Sequence, residues 1–511
     1  MTSGEAYASN MDTPLLVAGS TLILIPLSVV IYNLFFHPLR SYPGPWYAKS
    51  TIFWSQYHAY QGDLTFHVHK FHQRYGPVVR IAPGELVYID PQAWKDIYGH
   101  RNGVPENIKE PTTNNDPNKE HLSIMQAEKT HHTKLRKILS GSFSEKAMQS
   151  QEPIIKSYVD LLVQRLGEKA AEDDAGGTDV HIRGTSPDGA DTPKFTTFDI
   201  IGHLTLGEPF GCLHNSGYHP WITAISSAIK FSVLLTSLRR VYDNIGNILI
   251  ALIPKSIREK NAEVFSVIEK LILKRRDRTI SYVDFMTHLM DAEREGKLVV
   301  DDLVAQGTLL IVAGSETVAT LLSGSTFYLL TNPHVYQRVV QEIRSNFNRR
   351  SEITLSSIHR LKYLLAFFDE ALRMYPPAGG NLPRRTPPQG TNICGKFVPG
   401  NTTVGIHQWA QFHSPTNFAE PDVFAPERFL DTDNPKWKND RRDGLQPFGF
   451  GPRNCIGRLL AYSEMRLIFA SILWNFDLEL VPGQENWLDQ KIFDVWEKPP
   501  LMVKFKPVRG D

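Results

Sequence analysis

The residues most indicative of chemistry lie between positions 448 and 457, where three glycines accompany Arg453 and Cys455 ahead of an apolar, helix-like run. Glycines permit a tight turn and the close approach of a flat ligand. A cysteine at a helix N-terminus meets free N–H groups and the positive end of the helix dipole, which favour the thiolate. A thiolate held in this way is a good axial ligand for haem iron. This stretch therefore predicts a haem-thiolate centre at Cys455, although a cysteine in an apolar setting is more commonly an inert core residue.

Two further pairs of polar residues stand out. Glu370 and Arg373 share one helix face, but such a pair is ordinarily a surface ion pair of little value. Glu316 and Thr317 lie inside an apolar run, residues 301–330, that is typical of a buried helix. A buried acid and hydroxyl need a partner or a function. The alternative for Thr317 is a hydrogen bond to the carbonyl four residues earlier in its own helix.

Other motifs lose their usual support. Residues 390–396 have the spacing of a phosphate-binding loop, but Phe397 occupies the hydroxyl position, so we interpret them as a turn in a β region. Residues 449–451 begin like a dinucleotide-binding fingerprint, but Asn454 stands where its last glycine belongs. The sequence contains no HExxH or GxSxG motif, which removes the usual indications of zinc-protease and serine-hydrolase chemistry.

Residues 448–457 resemble the haem loop of the cytochrome P-450 family, F-x-x-G-x-R-x-C-x-G, at every fixed position. Three more family motifs occur in the right order: the acid–alcohol pattern at 313–317, E-x-x-R at 370–373 and P-E-R-F at 426–429. The resemblance covers essentially the whole chain except residues 167–193. It implies a haem-thiolate monooxygenase of the membrane-anchored eukaryotic type. The implied fold is mainly α with a small β-rich part, preceded by one N-terminal transmembrane helix.

The resemblance also assigns roles to residues. Cys455 would ligate the iron of haem b, Thr317 would hydrogen-bond dioxygen or an ordered water, and Glu316 would help deliver protons. Arg428 would join Glu370 and Arg373 in a buried structural lock. The other expected cofactor-binding residues are Arg453, Arg384 (with Arg385 as the alternative), Arg136, His132, Phe448, Gly449 and Gly457. His132 stands where the family often has tryptophan, as in many fungal members.

The elements that position these residues follow from apolar periodicity. Residues 78–90 predict a β-hairpin, and 130–143 and 153–166 predict helices. Residues 167–193 predict a solvated loop insertion. Helices are expected from 195 to 330, strands between 380 and 405, and a last long helix from Asn454 to Trp474.

Composition restricts the class of protein. The 511 residues carry 55 Lys+Arg and 54 Asp+Glu, a net charge of +1 that does not indicate a nucleic-acid partner. The hydrophobic share of 41% is globular. Three cysteines cannot form a disulfide framework. The length allows about three domains, but the absence of a convincing interior linker favours one.

The N-terminus predicts a membrane anchor. Residues 14–36 contain no charge, and a helix of that length spans about 35 Å, enough to cross a bilayer with a kink at Pro26. A cleaved signal peptide would need preceding positive charge and a shorter apolar core. Because Arg40 and Lys49 follow the span, the positive-inside rule places the remaining chain in the cytosol. We therefore expect a lumenal tail (1–13), a transmembrane anchor (14–36), a Pro-rich hinge (37–46) and a monooxygenase domain (47–511).

The activity that the resemblance implies is oxidation of a small apolar molecule by dioxygen. NADPH would supply electrons through a separate reductase, and the enzyme would sit in the endoplasmic reticulum membrane. A fungal secondary-metabolite pathway, involving a terpenoid, polyketide or alkaloid, is the expected setting. Two alternatives stay open: a haem-thiolate peroxygenase or isomerase that needs no reductase, and a non-catalytic haem-binding protein.

Overall fold

Helices make up most of the structure, a computed structural model that describes residues 23–114, 121–172, 178–181, 192–215, 220–242, 248 and 255–508. In chain order, the helices are α1 (Ile23–Phe36), α2 (Trp46–Ser50), α3 (Phe53–Gln61), α4 (Leu64–Tyr75), α5 (Gln92–Tyr98), α6 (Pro111–Asn114), α7 (Lys129–Leu139), α8 (Glu145–Glu172), α9 (Thr192–Leu206), α10 (Cys212–Asn215), α11 (Pro220–Val241), α12 (Lys255–Arg276), α13 (Thr287–Arg294), α14 (Val300–Thr331), α15 (Pro333–Asn346), α16 (Lys362–Met374), α17 (Gln408–Phe412) and α18 (Arg458–Asn475). Short 3-10 turns occupy Ser140–Phe143, Arg350–Glu352, Ser357–Arg360, Pro426–Phe429, Arg442–Gly444 and Gly451–Arg453.

The strands form small, separate sheets. They are β1 (Val78–Ala82), β2 (Glu85–Tyr88), β3 (Ile108–Lys109), β4 (Thr178–His181), β5 (Arg384–Arg385), β6 (Thr391–Ile393), β7 (Lys396–Val398), β8 (Thr403–Gly405), β9 (Phe476–Leu480), β10 (Lys491–Phe493), β11 (Val495–Glu497) and β12 (Met502–Pro507). One sheet has the order β1-β2-β8-β5-β3 and another β4-β12-β9, while β6-β7 and β10-β11 are two-stranded. The described chain is thus mainly helical with a small β-rich part, as predicted.

Helix α14 runs through the core and matches the predicted buried helix. Its apolar side chains extend almost all round, so neighbouring helices cover it, among them α9, α16 and α18. Asp302 accepts a hydrogen bond from the backbone N–H of Val299 at 3.0 Å, which fixes the first turn. Pro333 then opens the next helix. This element carries Glu316 and Thr317 deep into the molecule.

The five-stranded sheet positions basic residues. The predicted hairpin is confirmed as β1 and β2, which pair antiparallel. Strand β8 pairs parallel with β2 and antiparallel with β5, and β5 pairs with β3 so that Arg384 lies opposite Lys109. The predicted turn at 390–396 is also confirmed, as the hairpin of β6 and β7.

The predicted loop over 167–193 is wrong where the structure describes it. Helix α8 continues to Glu172, strand β4 pairs with residues 502–505 of β12, and α9 begins at Thr192. Residues 173–177 and 182–191 lie outside the described residues. The strand escaped prediction because its partner among the described strands is more than 300 positions away. Helix α8 also begins eight residues before the predicted start, with Pro153 inside it.

The predicted anchor is described only from residue 23. Helix α1 is apolar, and its side chains Ile23, Leu24 and Ile25 are exposed. Its end is fastened to the domain, because the Asn33 side chain donates to the Ser50 carbonyl at 2.8 Å. Among the described helices, α14 has the length and apolarity of a membrane span, but it is the buried core helix. The anchor therefore stays a prediction.

Candidate functional site

The cysteine loop closes on itself between Phe448 and Cys455, whose N–H donates to the Phe448 carbonyl at 2.8 Å. Gly449 and Gly451 have φ angles of +71° and +76°, a left-handed backbone that glycine adopts without strain. A Cβ on Gly451 would lie 2.1 Å from the Tyr98 carbonyl oxygen. The loop therefore packs directly against the end of α5, and only glycine fits there.

Cys455 lies at the mouth of the loop rather than in the first turn of the last helix. Helix α18 begins at Arg458 with Gly457 as its N-cap, so the predicted start at Asn454 is four residues too early. The Cys455 side chain has an open surface although protein atoms surround it on most sides. Gly457 borders the sulfur, since a Cβ there would lie in van der Waals contact with Sγ at 3.9 Å.

The expected preference of Cys455 for the thiolate needs correction. Burial raises the pKa of the thiol and outweighs the Gly457 N–H and the cations Arg136 and Arg458, which lower it. The loop alone therefore does not hold a free thiolate. A metal ion deprotonates a coordinating thiol outright, so the sulfur suits a metal ligand better than a free nucleophile.

A cluster of cations lies beside this loop. The antiparallel pairing of β3 and β5 puts Lys109 opposite Arg384, and burial together with Arg384 and Arg453 lowers the pKa of Lys109 to about 7. Among the described residues, neither Lys109 nor Arg384 forms a side-chain hydrogen bond or ion pair; Arg384 lies 5.3 Å from the centre of the Tyr98 ring. A cluster with so little counter-charge has room for anionic groups.

Arg453 and Arg385 are both neutralised by carboxylates, in different places. Arg453 Nε donates to Glu106 at 2.9 Å and its Nη1 to the Ala127 carbonyl at 2.9 Å. Arg385 is paired through two nitrogens with the buried Glu110. Of the two candidates at 384 and 385, the structure leaves the guanidinium of Arg384 available.

Arg136 and His132 occupy the helix α7 side of the loop. Arg136 donates to the backbone and side-chain oxygens of Asn454, the latter at 2.7 Å, so it braces the residue before Cys455. His132 lines a cavity of about 160 Å³ together with Arg453. Burial and nearby cations, Arg453 foremost, lower the pKa of His132 to about 4, so its imidazole is neutral at physiological pH.

Glu316 is held by lysines that the sequence did not single out. Its Oε1 accepts from Lys498 Nζ at 2.8 Å, and its Oε2 lies 3.6 Å from Lys194 Nζ. All three side chains are buried. A Cβ on Gly314 would lie 2.3 Å from Ile201, so α9, which carries Lys194, packs tightly against this part of α14. Because Lys194 and Lys498 are far from Glu316 in the sequence, no local sequence pattern indicates these contacts.

Thr317 adopts the alternative hydrogen bond considered above. Its hydroxyl donates to the Ala313 carbonyl at 2.7 Å. Thr317 is nevertheless half-buried and Ala313 exposed, whereas the following residues of the helix, 318–329, are all buried. The Thr317 oxygen therefore retains the capacity to accept a hydrogen bond from a neighbouring group.

The expected lock around Glu370 is confirmed and is larger than predicted. Arg373 contacts both carboxylate oxygens of Glu370, at 2.7 and 2.8 Å, and Arg428 contacts Oε1 at 3.1 Å. Arg428 also donates to Asp440 at 2.7 Å, a fourth member that no motif indicated. All four side chains are fully buried. The cluster ties α16 to the segment that leads into the cysteine loop.

These features together fit a haem. The loop offers a sulfur with open surface, glycines that leave room for a flat ring, and cations for two carboxylates. Phe448 is fixed beside the loop by Tyr462, with 5.3 Å between the ring centres. The donor set is therefore suited to iron ligation by sulfur at one end and propionate binding at the other.

Known proteins agree with this interpretation. The cytochrome P450 family, whose members are oxidoreductases with a cysteine-ligated haem iron, matches residues 42–505. The chain is 41% identical over 499 residues to the cytochrome P450 monooxygenase astA of Talaromyces wortmannii, which covers 97% of this chain and 98% of the relative. It is 39% identical to the trichothecene C-15 hydroxylase of Fusarium sporotrichioides, covering 97% and 98%. It is also 39% identical to the averantin hydroxylase of Dothistroma septosporum, covering 96% and 91%. The chain belongs to the cytochrome P450 family.

Proposed function

We propose that this protein is a haem-thiolate monooxygenase in which Cys455 is the iron ligand. The observation that carries the proposal is the open Cys455 sulfur in a glycine loop, beside a cluster of cations in which Arg384 and Lys109 have no ion-pair partner among the described residues. When bound, the haem activates dioxygen so that one oxygen atom enters an organic substrate and the other leaves as water. Phe448, Gly449 and Gly457 shape the loop around the ligand.

The cations would bind the propionates. Arg384 and Lys109 form no ion pair among the described residues, and Arg453 is paired with Glu106, the carboxylate that acts on all three cations. Because the pKa of Lys109 is lowered to about 7, a bound propionate would also favour the protonated form of Lys109. His132, being neutral, would contribute a hydrogen bond rather than a charge. Arg136 would act chiefly by holding Asn454, and so the loop, in place.

Glu316 and Thr317 would manage protons. Glu316 lies between Lys498, which donates to Oε1, and Lys194, which is 3.6 Å from Oε2, and would exchange protons within this charged cluster. Thr317 would accept a hydrogen bond at its hydroxyl oxygen and orient a water molecule. Thr317 is half-buried and lies one turn after the exposed Ala313 on the core helix, with the buried Glu316 next to it in the chain, and this placement supports the role.

The setting that we propose is the endoplasmic reticulum membrane. The uncharged residues 14–36 would anchor the chain, with the tail 1–13 lumenal, the hinge 37–46 at the surface and the domain 47–511 cytosolic. The exposed apolar surface of α1 supports this arrangement. Electrons would come from NADPH through a separate reductase.

The substrate would be an apolar polycyclic secondary metabolite. Two relatives are named for hydroxylation, of a trichothecene and of averantin, and the chain is 39% identical to each. The mostly apolar segments 311–317 and 378–382 are our candidates for the pocket lining. This supports a terpenoid or polyketide substrate, hydroxylated in a fungal pathway.

The test is reconstitution of the full chain with an NADPH-dependent reductase, using apolar polycyclic compounds chosen by their shift of the haem spectrum. We expect hydroxylated product only when NADPH and reductase are both present. Thr317→Ala should keep the haem but divert most NADPH electrons to peroxide, because proton delivery is disturbed. Full turnover without reductase would support a peroxygenase or isomerase instead, and unchanged coupling in Thr317→Ala would remove its proposed role.

A further inference from the structure

Three metal-binding side chains meet at the turn between α3 and α4, at His58, Asp63 and His67. His58 Nδ1 lies 2.8 Å from Asp63 Oδ1, and His67 Nε2 lies 3.6 Å from Asp63 Oδ2. One ligand atom of each residue lies within 4.8 Å of the other two. Each oxygen of the carboxylate thus faces one imidazole, and the two imidazole rings lie beside each other with 4.1 Å between their centres.

The Asp63 side chain does not cap helix α4, although Asp63 occupies the N-cap position. It is the N-cap of α4, where an aspartate side chain ordinarily accepts a hydrogen bond from a backbone N–H of the first turn. No such bond is formed by its side chain. The carboxylate faces the two histidines instead, so the first turn of α4 receives no side-chain cap from Asp63.

The turn that presents the three side chains is held in place. Gly62 has a φ angle of +74°, and its carbonyl accepts from the Ile492 N–H at 2.8 Å. A Cβ on Gly62 would lie 2.7 Å from the Phe493 ring, so the β10–β11 hairpin fixes the turn from behind. The Trp54 ring, 4.6 Å from the His58 ring, covers one side of the cluster.

The cluster is also accessible. The side chains of Asp63 and His67 are 39% and 34% exposed, whereas that of His58 is 15% exposed. An ion can therefore reach the carboxylate and one imidazole from solvent and meet the second imidazole beneath them. Ligands on a fixed turn lose little conformational freedom when they bind.

We propose that His58, Asp63 and His67 form a binding site for a zinc ion, separate from the haem. Two imidazoles and one carboxylate are ligands that zinc accepts at about 2.0–2.2 Å, with water completing the tetrahedron. The three ligand atoms lie within 4.8 Å of one another before an ion binds. A bound zinc ion would cross-link α3 to α4 and stabilise this part of the domain.

The test is the zinc content of the full-length holoenzyme, produced without a polyhistidine tag and dialysed against micromolar zinc. The haem iron in the same sample supplies an internal standard. We expect one zinc per iron in the wild type and a rise in melting temperature on adding zinc. His67→Gln and Asp63→Asn should each weaken zinc binding by at least about 100-fold, since loss of outer-shell partners alone costs about 10–100-fold.

His334→Gln is the matched control, because His334 is an exposed histidine on the distant helix α15. It should bind zinc as the wild type does. The proposal is overturned if the wild type binds no zinc, or if the two cluster variants bind as much as His334→Gln. The reduced carbon monoxide spectrum of each variant reports folding separately, so failure of the zinc site and failure of the monooxygenase proposal are distinguishable.

Discussion

Arg384 and Arg385 are adjacent residues of the same type, but their surroundings give them different partners. Arg385 is paired with the buried Glu110, while Arg384 packs near Tyr98 and faces Lys109 across the sheet. The sequence presents them as equivalent. Only the strand register, which alternates side chains between the two faces of the sheet, assigns one to a structural pair and leaves the other for a ligand.

We therefore predict different consequences for their removal. Arg384→Met should weaken haem binding by roughly 10–100-fold, the loss expected for a hydrogen bond to a charged group. The haem-free chain should not lose stability, because the substitution relieves repulsion on Lys109. Arg385→Met should instead destabilise the fold by removing the cation paired with the buried Glu110, which would keep only weaker partners such as Thr403. Haem titration measures the haem affinity of both variants, and thermal melts measure their stability. An equal loss of haem affinity in the two variants would contradict the assignment.

Glu316 shows which features of a single residue the sequence predicts and which it does not. Its motif and its place on a buried helix were predictable from the apolar run. Its partners Lys498 and Lys194 were not, because they come from positions 182 residues ahead and 122 residues behind along the chain. Lys109 beside Arg384 was missed for the same reason, whereas Asp440 lies only 12 residues after Arg428 and was missed because no motif includes it.

At the scale of elements, the lock of Glu370, Arg373, Arg428 and Asp440 is the strongest link between α16 and the cysteine loop segment. Arg428→Met removes the guanidinium that contacts two buried carboxylates, those of Glu370 and Asp440. Removing one partner of a buried ion pair typically costs about 3–5 kcal/mol. We expect a large loss of haem-containing protein and a lower melting temperature, measured on the expressed full chain.

Lys436→Met supplies the control. Lys436 and Arg428 both lie over the Trp437 ring, at 4.4 and 4.2 Å from its centre, but Lys436 pairs with Glu420 at the exposed surface. Exposed pairs are worth about 0–1 kcal/mol. Melting temperatures that fall equally in the two variants would show that the lock is not the structural link described.

The elements themselves were largely predictable, because apolar periodicity is local. The predicted bounds of the hairpin at 78–90 and of the core helix at 301–330 agree with the structure to within a few residues. Strand β4 did not, since its composition resembles a loop and its pairing with β12 depends on the distant C-terminus. The start of α18 was misplaced because the cysteine loop continues through Gly457 before the helix begins.

At the scale of the whole molecule, buried neutral histidines make the fold sensitive to acid. Burial lowers the pKa of His72 to about 4 and that of His407 to about 3, and Nε2 of each lacks a partner among the described residues. The unfolded chain binds protons near pH 6.5. Between pH 6.5 and 4 it therefore binds more protons than the folded chain, and stability falls as pH falls.

Each such histidine should lower the free energy of unfolding by about 2 kcal/mol between pH 7 and pH 5. Urea midpoints at the two pH values measure the effect. His407→Gln removes one titrating group and should show a smaller decline than the wild type. A midpoint that does not change with pH, or an equal decline in the variant, would be inconsistent with a neutral buried imidazole.

The most direct test of the account is the reduced carbon monoxide difference spectrum of Cys455→Ala beside the wild type. Ligation of the haem iron by the Cys455 thiolate predicts the thiolate-type band of the family in the wild type and its loss in Cys455→Ala. Cys394→Ala, which alters a free cysteine outside the haem loop, should retain the band. A thiolate-type band that persists in Cys455→Ala, or its absence from haem-loaded wild type, would contradict the central claim.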